Sequence, residues 1–389
     1  MNRRSVLYGL GIAGIGLAGA TIWRVESNHV LSVGGGPAYK TWEDRQKSGQ
    51  NPFEQFVRAA VLAANPHNTQ PWKFHFLADA VDVYADTSRR IGVIDPFLRE
   101  MYIGVGCAVE NLLLSAEAAG YCWSFDKPAT FADTTLQPVV RVSLRKECGK
   151  HPSDLYAAIP KRHTNRGPYI KGKKVDAQMI EALSGLRNSD SDLRIFWFQG
   201  PEQMRAFGEL TVRATQAIGA DKEQSKSSAR WMRTSWSDIE RLRDGLTYDA
   251  QGMTSAMRTL AKFFPQLSIQ RMDQYWLTAT REIHVATAGA FGMIAVRDTR
   301  DMHQLVEAGR LWQQLHLFST LHGVAMQPLS QPVERRDRKF QLGQPPIYAN
   351  ALSDLQQDDS WHAVMPFRLG YPTRDAPPSP RRAIASVLI

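Results

Sequence analysis

Two segments of the chain share a pattern of apolar and polar positions. Residues 106–121, GCAVENLLLSAEAAGY, place apolar side chains at helical spacing and reach a glycine near the end, which predicts a glycine-capped helix. Residues 309–324, GRLWQQLHLFSTLHGV, predict a second helix with the same ending. At an offset of 203 residues Gly106 aligns with Gly309. Amphipathic helices in general share leucine spacing, so this alignment alone is weak support for a repeat.

The order of predicted elements before these helices is also repeated. Residues 51–64 predict a helix that leads into a strand at 73–77, and residues 175–186 predict a helix that leads into a strand at 193–198. The offset is here only about 122 residues, so an insertion at about residues 200–285 is needed in the second series. This pattern predicts an α+β fold with an internal duplication, and chance similarity is the alternative.

The predicted insertion is itself helical. Helical periodicity extends over residues 204–218 and 275–294, on either side of a polar centre, residues 231–253, that contains two tryptophans. The predicted units are therefore a first half at residues 51–150 and a second half at residues 151–389 that carries the insertion.

The N-terminus has the layout of an export signal. Arg3 and Arg4 precede an uncharged run, residues 6–23, that is rich in Gly, Ala, Leu and Ile. The paired arginines resemble a twin-arginine signal, so residues 1–23 predict export to the periplasm or cell envelope. The run is also just long enough for an uncleaved membrane anchor, whereas its five glycines disfavour a buried core helix. Residues 24–50 are predicted to be a linker.

Composition narrows the classes of protein. Of the 389 residues, 43% are apolar and 22% are charged, which excludes a disordered or low-complexity chain. The net charge of +9 fits a basic surface, but no long basic run occurs, so we expect no nucleic-acid partner. The three cysteines lack CxxC spacing and predict neither a disulfide scaffold nor a metal site.

Two loops carry the candidate chemistry. Residues 65–72, NPHNTQPW, gather amide and imidazole groups between two prolines, which suits hydrogen bonding to a planar heteroaromatic ring. The alternative is a helix-terminating turn with Trp72 in the core. Residues 162–169, RHTNRGPY, place a threonine between two arginines, which suits a phosphate group. The alternative for this segment is a solvated basic turn.

Together these loops resemble the FMN-dependent nitroreductase family, especially its fused, Acg-type branch. The matching patterns are N-x-Q-P-W after a first helix and R-x-[ST]-x-R before another helix, and the resemblance spans about residues 51–385. Further matches are Asp95-Pro96 with Arg99, Glu110-Asn111-Leu112, Gln327 to Pro332, Arg368 to Tyr371, and Arg381-Arg382. The sequence departs from the family at Asn65-Pro66-His67, where relatives often have Pro-Ser before the asparagine.

The resemblance implies a fold and a cofactor. The family fold is an antiparallel sheet flanked by helices that dimerises around FMN, and the fused branch joins both halves into a pseudo-dimer within one chain. Because each loop motif occurs in only one half, a single composite FMN site is expected. The residues that the resemblance assigns to this site are Arg162, His163, Thr164 and Arg166, with Arg381 or Arg382, at the phosphate; Asn65, His67, Asn68 and Gln70 at the ribityl chain and ring; and Gln327, Pro328, Leu329 and Ser330 beside the ring.

The resemblance also implies an activity. Flavin performs the redox chemistry, so no general acid or base is nominated. Electrons would pass from NAD(P)H, or from another reduced donor outside the cytoplasm, to a small nitroaromatic or quinone-like acceptor. The insertion would form a lid in which Trp231, Trp236 and the turn at 241–245 cover the ring. The alternatives are an FMN-storage protein with a closed lid and a degenerate pseudo-dimer that acts as a basic envelope interaction protein. The chain is expected to be a monomeric pseudo-dimer or a further dimer.

Overall fold

The computed structural model describes residues 26–27, 29–44, 51–126, 138–146, 153–187 and 192–389. The predicted signal or anchor, residues 1–23, lies outside these ranges. Within them, no helix combines the length and the apolar character that crossing a bilayer requires.

The described residues form helices and strands in an α+β arrangement. The α-helices are α1 Glu54–Ala60, α2 Arg99–Ala118, α3 Leu155–Ala158, α4 Ala177–Ser184, α5 Pro201–Ala220, α6 Lys222–Ala229, α7 Trp236–Leu242, α8 Ser255–Phe263, α9 Ile269–Ala279, α10 Met302–Leu321, α11 Gln331–Gln341 and α12 Ile347–Gln356. The strands are β1 Trp72–Phe76, β2 Ala80–Ala85, β3 Tyr121–Asp126, β4 Val140–Lys146, β5 Leu193–Phe198, β6 Met232–Arg233, β7 Leu246–Thr247, β8 Ala290–Val296, β9 Ala325–Pro328 and β10 His362–Gly370.

Two four-stranded antiparallel sheets have the same topology. The first has the order β1-β2-β4-β3 and the second the order β5-β8-β10-β9. Along the chain, a 20-residue helix connects two strands of each sheet: α2 connects β2 to β3, and α10 connects β8 to β9. A shorter helix precedes each sheet, α1 before β1 and α4 before β5. The predicted α+β class and antiparallel pairing are therefore confirmed.

Helices α2 and α10 cross at two glycines in the centre of the molecule. A Cβ on Gly106 would lie 2.0 Å from the carbonyl oxygen of Val306, and a Cβ on Gly309 would lie 2.0 Å from that of Ile103. Both pairs are related by the same 203-residue offset, so the crossing has a local two-fold character. Such close backbone contact is possible only where both residues lack a side chain.

One core joins the two sheets. Nearly every side of α2 is buried, as expected for a helix that is covered by neighbours on all faces. The core runs from Phe53 to Val387 and includes side chains of both sheets and of α10. The C-terminal residues complete the first sheet, because the Phe74 amide donates to Val387 and the Ile389 amide donates to Phe74, at 2.8 and 3.0 Å.

The insertion lies between β5 and β8 and contains helices α5 to α9. The helix predicted over residues 275–294 is wrong in its second part, because α9 ends at Ala279, a π-helical turn covers Thr280–Val285, and β8 begins at Ala290. The segment AFGMIAV is buried at every position between β5 and β10. A continuous apolar run of this kind gives no periodicity that distinguishes a buried strand from a buried helix.

The described part of the predicted linker packs against the rest of the molecule. Residues Pro37–Trp42 form a 3-10 helix in which Tyr39 is buried against Ile239 of α7. The Trp42 indole donates to the carbonyl oxygen of Ser379 at 2.8 Å, and the Arg381 amide donates to that of Ala38 at 2.9 Å. This segment therefore connects the C-terminal region with the insertion.

Candidate functional site

A cavity of about 220 Å³ lies where the two halves and the insertion meet. The first half contributes residues of the 64–67 loop and of α2, and the second half contributes Thr164, Arg166 and residues near β9 and α11. The insertion closes the cavity with side chains from α6, α9 and the segment between β7 and α8. The walls are mainly apolar with a few polar groups, the usual character of a small-molecule site.

Half of the sequence-predicted site residues line this cavity and half lie behind its walls. The lining residues are Asn65, His67, Thr164, Arg166, Gln327, Pro328 and Ser330. The residues behind the walls are Asn68, Gln70, Arg162, His163, Leu329, Arg381 and Arg382. Leu329 is fully buried in a second apolar cluster under α5, α11 and α12.

The 65–70 loop has an unusual backbone. His67, Asn68 and Gln70 have φ angles of 47°, 54° and 52°, the left-handed region that residues other than glycine rarely adopt. The Asn65 side chain holds this conformation, because its Oδ1 accepts a 2.7 Å hydrogen bond from the Gln70 amide and its Nδ2 donates to the Ala63 carbonyl. Three such residues in one loop are the kind of local strain that concentrates at functional sites.

The same loop holds the insertion in place. The Asn68 Nδ2 donates to the Gly245 carbonyl at 3.2 Å, and the Gly245 amide donates back to the Asn68 carbonyl at 3.1 Å. The Gln70 Nε2 donates to the Arg243 carbonyl at 2.8 Å. Asn68 and Gln70 therefore position the 243–245 turn rather than the cavity surface, and His67 contacts Ser228 of α6 at 2.9 Å.

Two buried arginines lie beneath this loop. Arg162 and Arg381 are 2% and 3% exposed, and both donate to the carbonyl oxygen of Leu62, at 3.1 and 3.4 Å. The Nε of each has no hydrogen-bond partner within the described part of the chain. Burial lowers the pKa of Arg162 to about 10, and burial together with Arg162 holds the pKa of Arg381 well below its ordinary value. Burial raises the pKa of the cavity residue Cys107, and Arg162 opposes that rise from close by.

Two further arginines lie on the other side of Thr164. Arg166 donates to the Ala250 carbonyl at 3.2 Å, and burial lowers its pKa to about 10. Arg368 is fully buried, donates to Gln327 at 2.7 Å and to the Gly167 carbonyl at 2.7 Å, and stacks on Tyr169. Burial lowers the pKa of Arg368 as well.

These four arginines lack a feature that other buried arginines of the molecule have. Among the described residues, Arg99, Arg310, Arg335 and Arg338 each form an ion pair with a carboxylate. No ion pair with a described carboxylate is formed by Arg162, Arg166, Arg368 or Arg381. Buried charges are costly unless they are paired, so this group calls for an anion. Of the four, Arg166 lines the cavity together with Thr164 and could contact the phosphate of FMN, whereas Arg162, Arg368 and Arg381 lie behind the wall and could contribute only positive charge.

Arg382 behaves differently from Arg381. Its backbone amide donates to Gln70 Oε1 at 2.7 Å, and its guanidinium lies 3.9 Å from Asp86. It is therefore partnered by a carboxylate, whereas the adjacent Arg381 pairs with no carboxylate of the described ranges.

Histidines around the arginines are held neutral. Burial, with Arg166 as a second cause, lowers the pKa of His67 to about 4, and burial with Arg162 and Arg381 lowers that of His163 to about 3. Burial with Arg368 and Arg166 holds the pKa of His284 well below the ordinary value, and burial with Arg162 does the same for His316. His163 packs edge-on against Trp42 rather than facing the cavity. Neutral imidazoles leave the positive charge of the site on the guanidinium groups.

A pair of carboxyl groups that the sequence did not predict lines the opposite wall. Glu100 of α2 and Glu334 of α11 both border the cavity, and Glu334 Oε2 has no hydrogen-bond partner among the described residues. Burial and the neighbouring Glu100 raise the pKa of Glu334 well above its ordinary value. Burial and Glu100 also raise the pKa of Asp95, to about 7. The surroundings of Glu334 therefore disfavour its ionisation.

The aromatic cover of the cavity differs from the prediction. Trp231 and Trp236 do not line the cavity: Trp231 packs on Ile91 and Ile94, and Trp236 stacks on His29. The insertion instead presents Tyr248, Tyr275 and Trp276 to the cavity. The polar segment at residues 231–253 attaches the insertion to the first half, whereas α9 supplies the side chains that face the cavity. In the described ranges no cluster of histidine, cysteine and acidic residues is suited to a metal ion.

Comparisons with known proteins give structural similarity alone. No family model matches the sequence, and no curated protein matches it. The FMN- and NADPH-dependent nitroreductase NfnB from Sphigopyxis sp. strain HMH has 13% identity and a TM-score of 0.40, covering 61% of this chain and 98% of its own.

Two other structures are similar at the same level. The FMN-dependent nitroreductase NfnB from Mycobacterium smegmatis in complex with NADPH has 16% identity and a TM-score of 0.37, covering 60% of this chain and 97% of its own. An iodotyrosine deiodinase bound to FMN and 3-iodo-L-tyrosine has 12% identity and a TM-score of 0.35, covering 59% of this chain and 95% of its own. Similarity at this level does not establish a family, so the site must be interpreted from its own residues.

Proposed function

We propose that the protein is an FMN-binding oxidoreductase of nitroreductase type with one composite flavin site. The observation that carries the proposal is the group of buried arginines without carboxylate partners beside a cavity, in the segment that resembles the family's phosphate motif. A phosphate dianion is the kind of ligand that several converging guanidinium groups bind best.

The residues of the chain would divide the work of binding. Arg166 and Thr164 face the cavity and would contact the phosphate, with Arg162 and Arg381 adding positive charge from behind the wall. Asn65 and His67 would border the ring on one side, and Gln327, Pro328 and Ser330 would border it on the other. When bound, FMN supplies the hydride and electron transfer.

Glu334 would supply a proton to the acceptor. Its carboxyl group borders the cavity, lacks a hydrogen-bond partner at Oε2 among the described residues and has a raised pKa because burial and Glu100 disfavour ionisation. Reduction of a nitro or quinone group consumes protons as well as electrons, so a carboxyl group with a raised pKa in the wall suits such an acceptor. The lid would exclude water from this reaction.

We infer that the two halves form a pseudo-dimer around this site. The equal strand orders, the local two-fold at Gly106 and Gly309, and the C-terminal residues that join the first sheet all support an internally duplicated unit. The 65–70 loop belongs to the first half and the 162–169 segment to the second, so neither half would bind flavin alone.

The first test is the visible spectrum of the full chain purified in detergent. A flavin spectrum that bleaches on anaerobic addition of NADPH supports the oxidoreductase. Because the exported protein would use another donor, dithionite and a reduced quinol are tested in parallel. A colourless protein that takes up no FMN on reconstitution contradicts the proposal.

The second test concerns the arginines. Replacing Arg162 and Arg166 together by Ala is expected to abolish FMN retention. The matched control is Arg194→Ala with Arg205→Ala, two arginines that are 45% and 70% exposed and pair with carboxylates. Unchanged flavin content in the first variant, with the same content in the control, would remove these residues from the site.

A second function, FMN storage, is favoured by one observation. The insertion is fastened to the 65–70 loop by hydrogen bonds on both sides of Asp244, which would keep the cavity covered. A stoichiometric flavin that dithionite reduces but no NAD(P)H, quinol or acceptor reaches would favour storage over catalysis.

We further propose export to the cell envelope. The twin-arginine-like N-terminus supports it, and Cys122 of β3 is disulfide-bonded, a state that persists in oxidising compartments such as the periplasm.

A further inference from the structure

Helix α8 of the insertion exposes its apolar side, which is the opposite of an ordinary surface helix. Met257, Leu260 and Phe264, at helical spacing, are 45%, 55% and 59% exposed. No residue of this helix is buried. A helix on a water-facing surface normally turns its apolar stripe toward the core.

The charged side of α8 faces inward. Lys262 lies 2.7 Å from Asp249, and Arg258 lies 3.5 Å from the same carboxylate, which is itself buried. Lys262 also donates to the carbonyl oxygen of Ser32 at 2.6 Å. These ion pairs fix the orientation of the helix. Because its charged side is held toward the protein interior, its apolar side faces outward.

Neighbouring residues extend the exposed apolar area. Ile269, at the start of α9, is 36% exposed, and Leu31 and Val33 flank the Ser32 contact. We call this set, Leu31, Val33, Met257, Leu260, Phe264 and Ile269, the apolar face. Of the three basic residues at 254–272, Arg258 and Lys262 are held inward by Asp249, whereas Arg271 is exposed, and no acidic residue occurs in this segment. An exposed apolar helix surface without acidic neighbours, in a chain of net charge +9, suits an anionic lipid headgroup region.

The apolar N-terminal run of the sequence supports a lipid bilayer as the partner that covers the apolar face. The uncharged residues 6–23 end six positions before His29, and the segment after His29 carries Leu31 and the Ser32 carbonyl that binds Lys262. Six residues span at most about 20 Å, so an anchor formed by this run would hold the apolar face near the bilayer surface.

We propose that the apolar face docks on the surface of an anionic lipid bilayer, with α8 lying in the interface. The inference does not depend on flavin binding. In this arrangement, Tyr275 and Trp276 of α9, on the cavity side of the lid, would lie behind α8, which contacts the lipid.

The test measures membrane depth on the full chain. Single variants Leu260→Cys and Phe264→Cys receive a nitroxide spin label, with Ile347→Cys of α12 as a control, because Ile347 and Leu260 are both 55% exposed. Of the native cysteines, Cys107 is buried and Cys122 is disulfide-bonded. Each protein is reconstituted into vesicles of phosphatidylcholine and phosphatidylglycerol, and collisions with oxygen are compared with collisions with a water-soluble nickel chelate.

The outcomes separate the possible occupants. Labels at 260 and 264 that collide with oxygen in preference to nickel, while the label at 347 does the reverse, support the proposal. Labels at all three positions that behave alike would overturn it. Labels at 260 and 264 that are shielded from both reagents would also overturn it and would indicate a protein occupant, and spin–spin broadening would identify a second copy of the chain. Flavin content is recorded separately, so failure of the proposed function does not affect this result.

Discussion

At the scale of single residues, the buried charges of the molecule fall into two groups. Buried arginines away from the cavity have carboxylate partners, such as Arg310 with Glu110 at 2.9 Å. Arginines beside the cavity are held by carbonyl oxygens instead, such as Arg166 by Ala250. The second arrangement leaves positive charge uncompensated until an anion binds, which makes apo stability and ligand affinity oppose each other.

Because apo stability and ligand affinity oppose each other at these arginines, Arg166→Met is expected to change the two quantities in opposite directions. Removing the charge is expected to raise the melting temperature of the flavin-free protein, because an unpaired cation no longer has to be buried. The same change removes a charge-assisted bond worth about 1.5–3 kcal/mol and should weaken FMN binding about 10- to 100-fold. Thermal unfolding and FMN titration measure the two effects, and Arg194→Met at an exposed site is the control. A variant that loses stability without losing affinity would contradict the prediction.

Glu334 predicts a pH effect with a defined sign. Its folded pKa is raised, so the folded state holds a proton that the unfolded state releases above its ordinary carboxyl pKa. Stability from this group is present at low pH and is lost as pH rises through the folded pKa. Glu334→Gln should therefore lose less stability between about pH 5 and pH 8 than the unmodified protein. Melting temperatures across this range test it, with exposed Glu209→Gln as the control; parallel curves for all three proteins would refute it.

Residue roles were only partly predictable from sequence. The polar loop at 65–70 and the arginine segment at 162–166 could be found because their residue types are unusual at short spacing. Glu100 and Glu334 could not, since they lie far apart in the chain and each looks like an ordinary helix surface residue. Only the packing of α2 beside α11 places both on one cavity wall.

At the scale of elements, the crossing of α2 and α10 is the most constrained contact. Gly106→Ala and Gly309→Ala each bring a Cβ within 2.0 Å of a carbonyl oxygen that cannot move independently of its helix. We expect each to cost about 1–3 kcal/mol of unfolding free energy or more, and by similar amounts because the contacts are equivalent. Denaturant unfolding measures this, and Gly185→Ala, whose nearest neighbour is 3.5 Å away, is the control. Losses no larger than that of the control would contradict the geometry.

Helix α8 is predicted to open most readily. It has no buried residue, whereas α2 is buried along most of its length. Amide hydrogens of α8 should therefore exchange in seconds in detergent, while those of α2 and α10 exchange only on global unfolding. Hydrogen exchange followed by mass spectrometry tests this. On anionic vesicles, exchange in α8 is expected to slow, and equal rates with and without vesicles would argue against lipid contact.

Element prediction succeeded where periodicity was clear and failed where burial removed it. Helices α2 and α10 and strand β5 lie where amphipathic patterns placed them. The start of strand β8 falls in a segment predicted to be helical. A central strand that is buried on both faces has no polar positions, so its sequence shows no alternating pattern. The exposed apolar residues of α8 look like core positions in the sequence, and only the ion pairs of Lys262 show which way the helix faces.

At the scale of the whole molecule, two sets of helix and strand, each with one long helix, were predictable in outline. The repeat of helix and strand order and the offset of the two long helices are both visible in the sequence. The fastening of the insertion onto the first half was not, because it uses backbone carbonyls at 243–245 that leave no sequence signal.

The disulfide of Cys122 gives a prediction for the whole chain. The sequence has three cysteines, of which Cys107 is free and buried and Cys122 is bonded. Protein isolated from the cell envelope and unfolded without reductant should therefore expose one reactive thiol, and three after reduction. Thiol titration measures the number. Three thiols before reduction would show that the protein matures in a reducing compartment and would contradict the proposed export.

The glycine crossing also limits how the molecule can move. Because two helix backbones touch at the centre, α2 and α10 cannot slide past each other without losing that contact, and the insertion is attached to the first half by the hydrogen bonds of Asn68 and Gln70. In the proposed oxidoreductase, donor and acceptor would then use the same covered cavity, so one would depart before the other enters. Initial rates measured against both substrates are expected to give the parallel lines of a ping-pong sequence, because a site with room for one substrate at a time must keep the electrons on its cofactor between visits.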